Sequence, residues 1–586
     1  MEKGWDKLSI FTYKAAGDPF IQSYLAGYMQ GRLEAAEINI YFNVKNEANS
    51  YNNNNEYKEI FEFFDNVNTN LNKKLLCIKS YNSKYNSKSK NIEESELMKY
   101  NNLPRFLIAY SQIKGLLNGY TIEAIKKNYA KLEMKHLLLM QADGELSELK
   151  RAITYLNKKK KTRIGDKNYF KEAFGINTSN PKMFWEELLK SSRCSALVKI
   201  ITDKNSNIKN MILGHTTWGE RMELIRSFKM YNLELEDNDD FPKTNLLFPA
   251  YPGTLSSTDD FYITNNELAI TETTLEILDI NAYSHIKPVN LYFPNYIRVL
   301  TASRFAKTGK EWIELFSSYN SGTYSSQWLI LDYKVFKNIL GLKNNEVSIN
   351  NEKHAGLLYM LEQQPKDMIY HDVSKYLICH GYMASYNRIF FDENKRNLKM
   401  NLIRSVYGNF LGNNTESSRG KQFKMLQNNV IDITSMFQIM RYNGYKLNKS
   451  VDDDSNNDPK TAISALYELQ GLTGKNNSFV GGIDTKVTDY LSVQDLQIYG
   501  INGPTGYKLN KNLPNYKINS KLAKSLNIKE DVDYPCLKIN PENMINNSTN
   551  DIYNIYFPEE GNLNLKVEKI KNAQENNIAI NYDYEE

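Results

Sequence analysis

A layered α+β sandwich is the fold class this sequence predicts, and three observations carry the prediction. Helical periodicity dominates the first third of the 586 residues, β character rises sharply at Cys194, and short strands then alternate with helices to about residue 512.

The first helix opens at Asp18-Pro19, with Asp18 as N-cap and Pro19 at the first helical position. Its apolar side runs Ile21, Leu25, Tyr28, Leu33. Gly27 and Gly31, one turn apart, read as a close helix contact in a soluble core, because Gln22, Gln30 and Arg32 interrupt the segment. Further helical patterns cover residues 57–64, 104–117, 120–131 and 145–158, with a Ser/Asn/Lys/Tyr-rich surface insertion near 81–91. Asn180-Pro181 starts a short helix over 182–190, with Met183, Phe184, Leu188 and Leu189 on one side. Two apolar runs, 194–201 and 211–218, flank a polar turn and predict a hairpin. Strands follow at 246–248, 261–264, 268–274 and 328–333, whereas 311–316 and 373–379 are short elements of either type. Strands recur near 430–433 and 483–487, and helices at 435–442 and 459–469. Beyond residue 513 the chain turns Asn- and Lys-rich with an acidic end, which reads as an appendage to the core.

Bulk properties exclude several function classes. Hydrophobic residues are 41% and charged residues 24%, enough to bury a core. A net charge of +5 against 73 basic and 68 acidic residues offers no nucleic-acid arm; the densest basic run, 158–161, reads as a solvated helix end. The four cysteines (Cys77, Cys194, Cys379, Cys536) form no C-x-x-C and are too few for a disulfide framework, and the six histidines include no H-E-x-x-H. No metal or cofactor is therefore expected. No apolar run of 18 residues exists to span a membrane, and Met1-Glu2-Lys3-Gly4-Trp5 lacks a signal-peptide core, which taken literally describes a cytoplasmic chain. Ser256 and Ser257 sit in no G-x-S-x-G, and Gly253, Gly481 and Gly482 read as turn glycines without phosphate-loop spacing. Asp259-Asp260 fits a carboxylate pair and an Asx turn equally well.

The hairpin carries the chemistry. With its turn centred between Ser206 and Asn207, it brings Cys194 level with Trp218 and Gly219, so a thiol, the His215 imidazole and an indole share one sheet end. Two bases suit the thiol. One is His215, giving a Cys–His dyad; the other is the α-amine that Cys194 acquires if the Arg193–Cys194 bond is cut, with a reference pKa of roughly 7.7–8.0. The bland alternative is a buried, inert cysteine.

Many ordered blocks bear on the choice: Cys194-Ser195-Ala196-Leu197-Val198-Lys199, His215-Thr216-Thr217-Trp218, Tyr251 through Tyr262, Glu272-Thr273-Thr274, Tyr319 through Tyr324, Gln327-Trp328, Glu362-Gln363-Gln364-Pro365, Gly381-Tyr382, Ser385-Tyr386-Asn387, Met440-Arg441-Tyr442-Asn443, Asp484-Thr485-Lys486-Val487 and Gly503-Pro504-Thr505. Together they resemble the phospholipase B-like (lamina ancestor-like) family, over roughly 85% of the chain. The resemblance implies an N-terminal nucleophile hydrolase, a four-layer αββα sandwich whose precursor cuts itself before Cys194 into associated fragments of 193 and 393 residues. Residues 1–193 would form the mainly helical fragment, 194–512 the catalytic core and 513–586 the appendage. It further implies Cys194 as nucleophile with its freed amine as base, and His215, Trp218, Thr274, Asn387 and Arg419 around it; the run Ser417-Ser418-Arg419-Gly420 departs from the family's usual one. On this reading Asn387 is an oxyanion donor, Arg419 a bidentate orienter, Thr274 a positioner of amine or water, and His215 an orienter.

The implied substrate is an acyl ester of a phospholipid. An N-acyl or peptide-like amide is the alternative, and a catalytically silent scaffold the reading from another class; a homo-oligomer is compatible with each. The resemblance implies a lysosome-like or secreted location with a leader ahead of Gly4-Trp5, and Asn177, Asn413 and Asn476 begin glycosylation sequons.

Overall fold

The computed structural model describes residues 4–49, 51, 55–84, 102–157, 194–236, 238–286, 292–343, 346–347, 351–397, 399, 401–402, 417–442, 462–465, 480–503, 536–545 and 552–553. The expected helix at 182–190 and the three sequons lie outside these residues.

Among the described residues, fifteen strands build two sheets. Strands β1 (Asp6–Thr12), β4 (Ser227–Leu233), β5 (Thr244–Ala250), β6 (Phe261–Thr264), β7 (Leu268–Thr274), β8 (Ser326–Asp332), β9 (Leu358–Gln363) and β10 (Met368–Asp372) form the first, in that order. The second runs β11 (Tyr382–Ser385), β2 (Ser195–Thr202), β3 (Ile208–Glu220), β12 (Val480–Asp489), β13 (Ile498–Asn502), β14 (Cys536–Ile539) and β15 (Ile552–Tyr553). All described pairings are antiparallel except β1 with β4.

Among the described residues, strand alternation sorts the core into three clusters. Phe228 and Met230 of β4 join Ala196, Val198 and Leu213 in a cluster between the sheets. Tyr231 and Leu233, on the other face of β4, pack with helices α1 (Pro19–Leu33), α2 (Ala35–Asn49), α3 (Asn55–Lys84), α4 (Leu103–Lys127), α5 (Met134–Gln141), α6 (Leu146–Asn157), α7 (Asn295–Phe305) and α8 (Gly309–Ser317). Leu197 and Ile212 face out of the second sheet against α9 (Ser418–Leu426) and α10 (Ile433–Met440). The fold is mixed α+β, with a helical N-terminal region and two sheets.

Helix α1 corrects the expected packing. Ile21, Leu25 and Leu33 of its apolar side are exposed, while Gln22, Ser23, Ala26, Gly27, Gln30 and Gly31 are buried. Backbone approach decides this: a Cβ on Gly27 would lie 1.9 Å from the Gln112 carbonyl oxygen of α4, and one on Gly115 1.9 Å from that of Tyr24. The buried amides are satisfied. Gln22 accepts from Thr12 Oγ1 at 2.8 Å and donates to the Gly17 carbonyl, and Gln30 accepts from Tyr231 OH at 2.7 Å and donates to Glu34 and the Thr254 carbonyl.

Other elements differ from expectation for identifiable reasons. Residues 104–131 form one helix to Lys127, ended by Asn128 in the left-handed conformation. Residues 311–316 and 373–379 fall in helices Gly309–Ser317 and Ser374–His380. No strand forms at 430–433, because Asp432 caps α10 in a reciprocal pair with Ser435. Residues 462–465, within the helix expected at 459–469, make a turn. Gly481 and Gly482 lie in β12 opposite Gly219 and Trp218 rather than in a turn. Strand β14 extends the second sheet into the segment read as an appendage, and Leu537 is fully buried. No helix among the described residues is long and apolar enough to cross a membrane.

Candidate active site

The hairpin β2–β3 sets the register around Cys194. Asp203 Oδ1 accepts from the Asn205 and Asn207 amides at 2.9 Å each, and Ser206 adopts φ +64°. The chain therefore turns about Asn205, two pairings earlier than the sequence suggested. Ser195 pairs with Thr216 and Ala196 with His215, so the next position places Thr217, not Trp218 or Gly219, level with Cys194. A shift of two leaves the side-chain faces unchanged.

Those faces sort the candidates. Ala196 lies in the inter-sheet cluster; His215 pairs with it, and Lys486 of β12 pairs with His215, so all three share the inner face. Ser195, Thr216 and Trp218 alternate onto the outer face, where Thr216 Oγ1 donates to the Met440 carbonyl of α10 at 2.6 Å. Trp218 Nε1 donates to the Ile463 carbonyl at 3.1 Å. The imidazole thus belongs to one side of the sheet and the indole to the other.

Cys194 joins the two sides. It is 2% exposed and holds φ +77°, a left-handed conformation that costs a non-glycine residue about 1 kcal/mol or more. Its carbonyl accepts from Arg419 Nη1 at 2.9 Å, and the same nitrogen lies 3.2 Å from Ser195 Oγ. The guanidinium stacks on Trp218 at 4.4 Å from the ring centroid. Arg419 is carried at the start of α9, which Ser417 caps through the Gly420 amide at 3.1 Å.

On the inner face His215 Nε2–H donates to the Glu272 carbonyl at 3.1 Å, and its Nδ1 has no hydrogen-bond partner among the described residues. Burial, reinforced by the Lys486 charge, holds its pKa well below the ordinary value, so the ring is neutral. Lys486 Nζ donates to Asp484 Oδ1 at 2.7 Å and to Thr217 Oγ1, with Asp259 Oδ2 at 3.9 Å. Burial lowers this ammonium to about 8 despite Asp484. Asp484 would be raised by burial, but Arg226 at 2.6 Å and Lys486 together bring it to about 2. Arg226 also pairs with Asp259, and its guanidinium lies over Trp5 and Tyr251. The Asp259-Asp260 dipeptide is therefore more than an Asx turn. Asp260 shares a hydrogen bond with Glu272 and accepts from Tyr324 OH, and burial followed by the Glu272 charge lifts its carboxyl far above the usual range. Lys486 and Tyr324 both interact electrostatically with Cys194.

Asn387 and Thr274 make a second pair. Asn387, at φ +65°, donates through Nδ2 to the Thr274 carbonyl at 2.7 Å and through its amide to Thr273 Oγ1 at 3.2 Å. Ser385 pairs with Ala196, so Asn387 follows the end of β11 beside the start of β2. Of the six expected residues, Cys194, Arg419 and Trp218 touch in series, Asn387 and Thr274 touch each other, and His215 is held by Glu272. Sequence reasoning assigned no part to Lys486, Arg226, Asp484, Tyr324 or Glu272. The available signal was a lysine inside a run that reads as a buried strand, Asp484 to Val487.

A family model for phospholipase B matches residues 1–530. Phospholipase B-like protein A of Dictyostelium discoideum is 29% identical over 516 residues, which cover 86% of this chain and 80% of that protein. Phospholipase B-like protein F of the same organism is 30% identical over 404 residues, covering 67% of this chain and 64% of its own length. Phospholipase B-like 1 of Bos taurus is 30% identical over 400 residues, again 67% and 64%. The match to these last two thus spans just under two thirds of their length. With the family model matched over residues 1–530, most of its length, the chain belongs to the phospholipase B family of hydrolases.

Proposed function

We propose that this chain is an N-terminal nucleophile hydrolase of the αββα type, which cuts its own Arg193–Cys194 bond and then transfers acyl groups from lipid esters to the Cys194 thiol. One observation carries the reading: a buried cysteine in a left-handed conformation opens an inner strand, with a guanidinium on its carbonyl. The three apolar clusters, outside and between the two sheets, support the four-layer arrangement. After the cut the freed α-amine takes the thiol proton. Sulfur attacks the acyl carbonyl, the alcohol leaves with that proton, and water hydrolyses the thioester. Asn387 offers an N–H to the oxyanion, a contact whose loss typically costs about 10²–10³ in rate. Arg419 fixes the nucleophile's backbone from the Trp218 side. Thr274 positions Asn387 through its carbonyl, and neutral His215 braces the strand against Glu272. The N-terminal fragment, residues 1–193, stays bound to the 194–512 core because β1 is an edge strand of the first sheet.

The test is acyl capture. Incubation with a phospholipid should release fatty acid and leave a thioester mass increment on the fragment that begins at Cys194. Cleavage without release across ester and amide panels would favour a silent scaffold, and amide turnover alone would move the assignment to an amidase. A lysosome-like or secreted location is proposed alongside, and a mass loss on enzymatic deglycosylation of the native protein is the expected sign.

A further inference from the structure

Self-cleavage and substrate turnover need different bases. The α-amine that serves the mature enzyme is an amide nitrogen in the precursor, where it cannot accept a proton. Some other group must ionise the thiol before the first bond is cut, and this requirement rests on the proposed self-cleavage.

The inner face of the second sheet supplies two nitrogen bases, His215 and Lys486. His215 spends its one N–H on the Glu272 carbonyl, and its site disfavours the protonated ring so strongly that accepting a proton is costly. Lys486 is placed differently. Its ammonium is surrounded by Asp484 Oδ1 at 2.7 Å, Asp259 Oδ2 at 3.9 Å and Thr217 Oγ1, so a proton on Nζ is matched by carboxylates. Burial first, and then the Arg226 guanidinium that faces the same two carboxylates, favour the neutral amine, while His215 beside it on β3 is uncharged. The opposing influences leave it near 8, within reach of both protonation states at neutral pH. Thr217, which accepts from Nζ, stands level with Cys194 by register, and a charge on Cys194 acts electrostatically on Lys486.

We propose that Lys486, positioned by Thr217 and Asp484, is the base that removes the Cys194 thiol proton in the uncleaved chain. Sulfur then attacks the carbonyl carbon of the preceding residue, the C–N bond breaks, and the proton passes from Nζ to the departing Cys194 nitrogen. That transfer returns Lys486 to its starting state and completes the new amine; one water then hydrolyses the resulting thioester, restoring the thiol and leaving a new carboxyl. Lysine is used once, in maturation, and the α-amine in every later cycle.

Cell-free translation of the full chain, followed by intact-mass analysis over time from pH 6 to 10, tests this. Wild type should be cleaved at a rate that rises with pH and levels off above about 8. Lys486→Arg keeps the cation for Asp484 and Asp259 but cannot act as a base, and its cleavage should fall by about 10²–10⁴-fold at pH 7.5. If Lys486→Arg is cleaved at the wild-type rate with the wild-type profile, or if wild-type cleavage is independent of pH across 6.5–9.5, the assignment is overturned; the wild-type profile needs no variant to fold. If wild type is never cleaved, the self-cleavage reading itself fails, which is a separate result.

Discussion

The Asp484→Asn substitution tests the buried charge network in magnitude as well as direction. Asp484 is 1% exposed and holds two cations, Arg226 at 2.6 Å and Lys486 at 2.7 Å. Removing one member of a buried ion pair typically costs about 3–5 kcal/mol, because the remaining charge is left without compensation. Here Arg226 retains Asp259, and Lys486 has Asp259 at 3.9 Å, which points to the lower end, about 3 kcal/mol. For 586 residues the unfolding entropy is about 1.2 kcal/mol/K at roughly 2.1 cal/mol/K per residue, so the melting midpoint should fall by about 2–3 °C. Differential scanning calorimetry at pH 7 measures it, with Glu234→Gln as control. Glu234 is 38% exposed beside an exposed Lys243, and its loss should move the midpoint by less than about 0.5 °C. The pH dependence follows from the depressed carboxyl. Its stabilisation is fully present above the ordinary value of 3.8 and is lost as pH falls through about 2, so variant and wild type should converge only in strong acid. A shift at pH 7 no larger than the control's would refute the network's role.

Three other outcomes follow from the same geometry. Gly27→Ala should destabilise by about 1–3 kcal/mol despite the better helix propensity of alanine, because its Cβ would sit 1.9 Å from the Gln112 oxygen; urea unfolding with an unchanged m-value reads this out. Glu148, raised to about 7 by burial, contributes stability below its ordinary 4.5 that is lost as pH rises through 7; wild-type unfolding should show that decline, and Glu148→Gln, which can still bond Ser325, should flatten it. Arg419→Lys loses the stack on Trp218 and the planar contact to the Cys194 carbonyl, and fatty-acid release should drop about 10–100-fold with the fold intact by circular dichroism.

Strand texture and the helical first third were legible in the sequence, because period-2 alternation and capping residues are local signals. Residues 261–264 and 268–274 appear as strands with the expected bounds. The inverted face of α1 was hidden, since the glycines that set it act through a second helix some ninety residues away. The hairpin register was off by two because Asp203 tightens the turn with its side chain. Lys486 was passed over as one residue of a block. Its meaning comes from register against β3 and β2, which no single strand encodes.

N-terminal sequencing of the purified wild-type protein tests the central claim most directly. Two associated fragments are expected, one starting at Cys194, and a single uncut chain for Cys194→Ala. A wild-type chain that stays whole while releasing fatty acid, or a Cys194→Ala chain cut at the same bond, would contradict it.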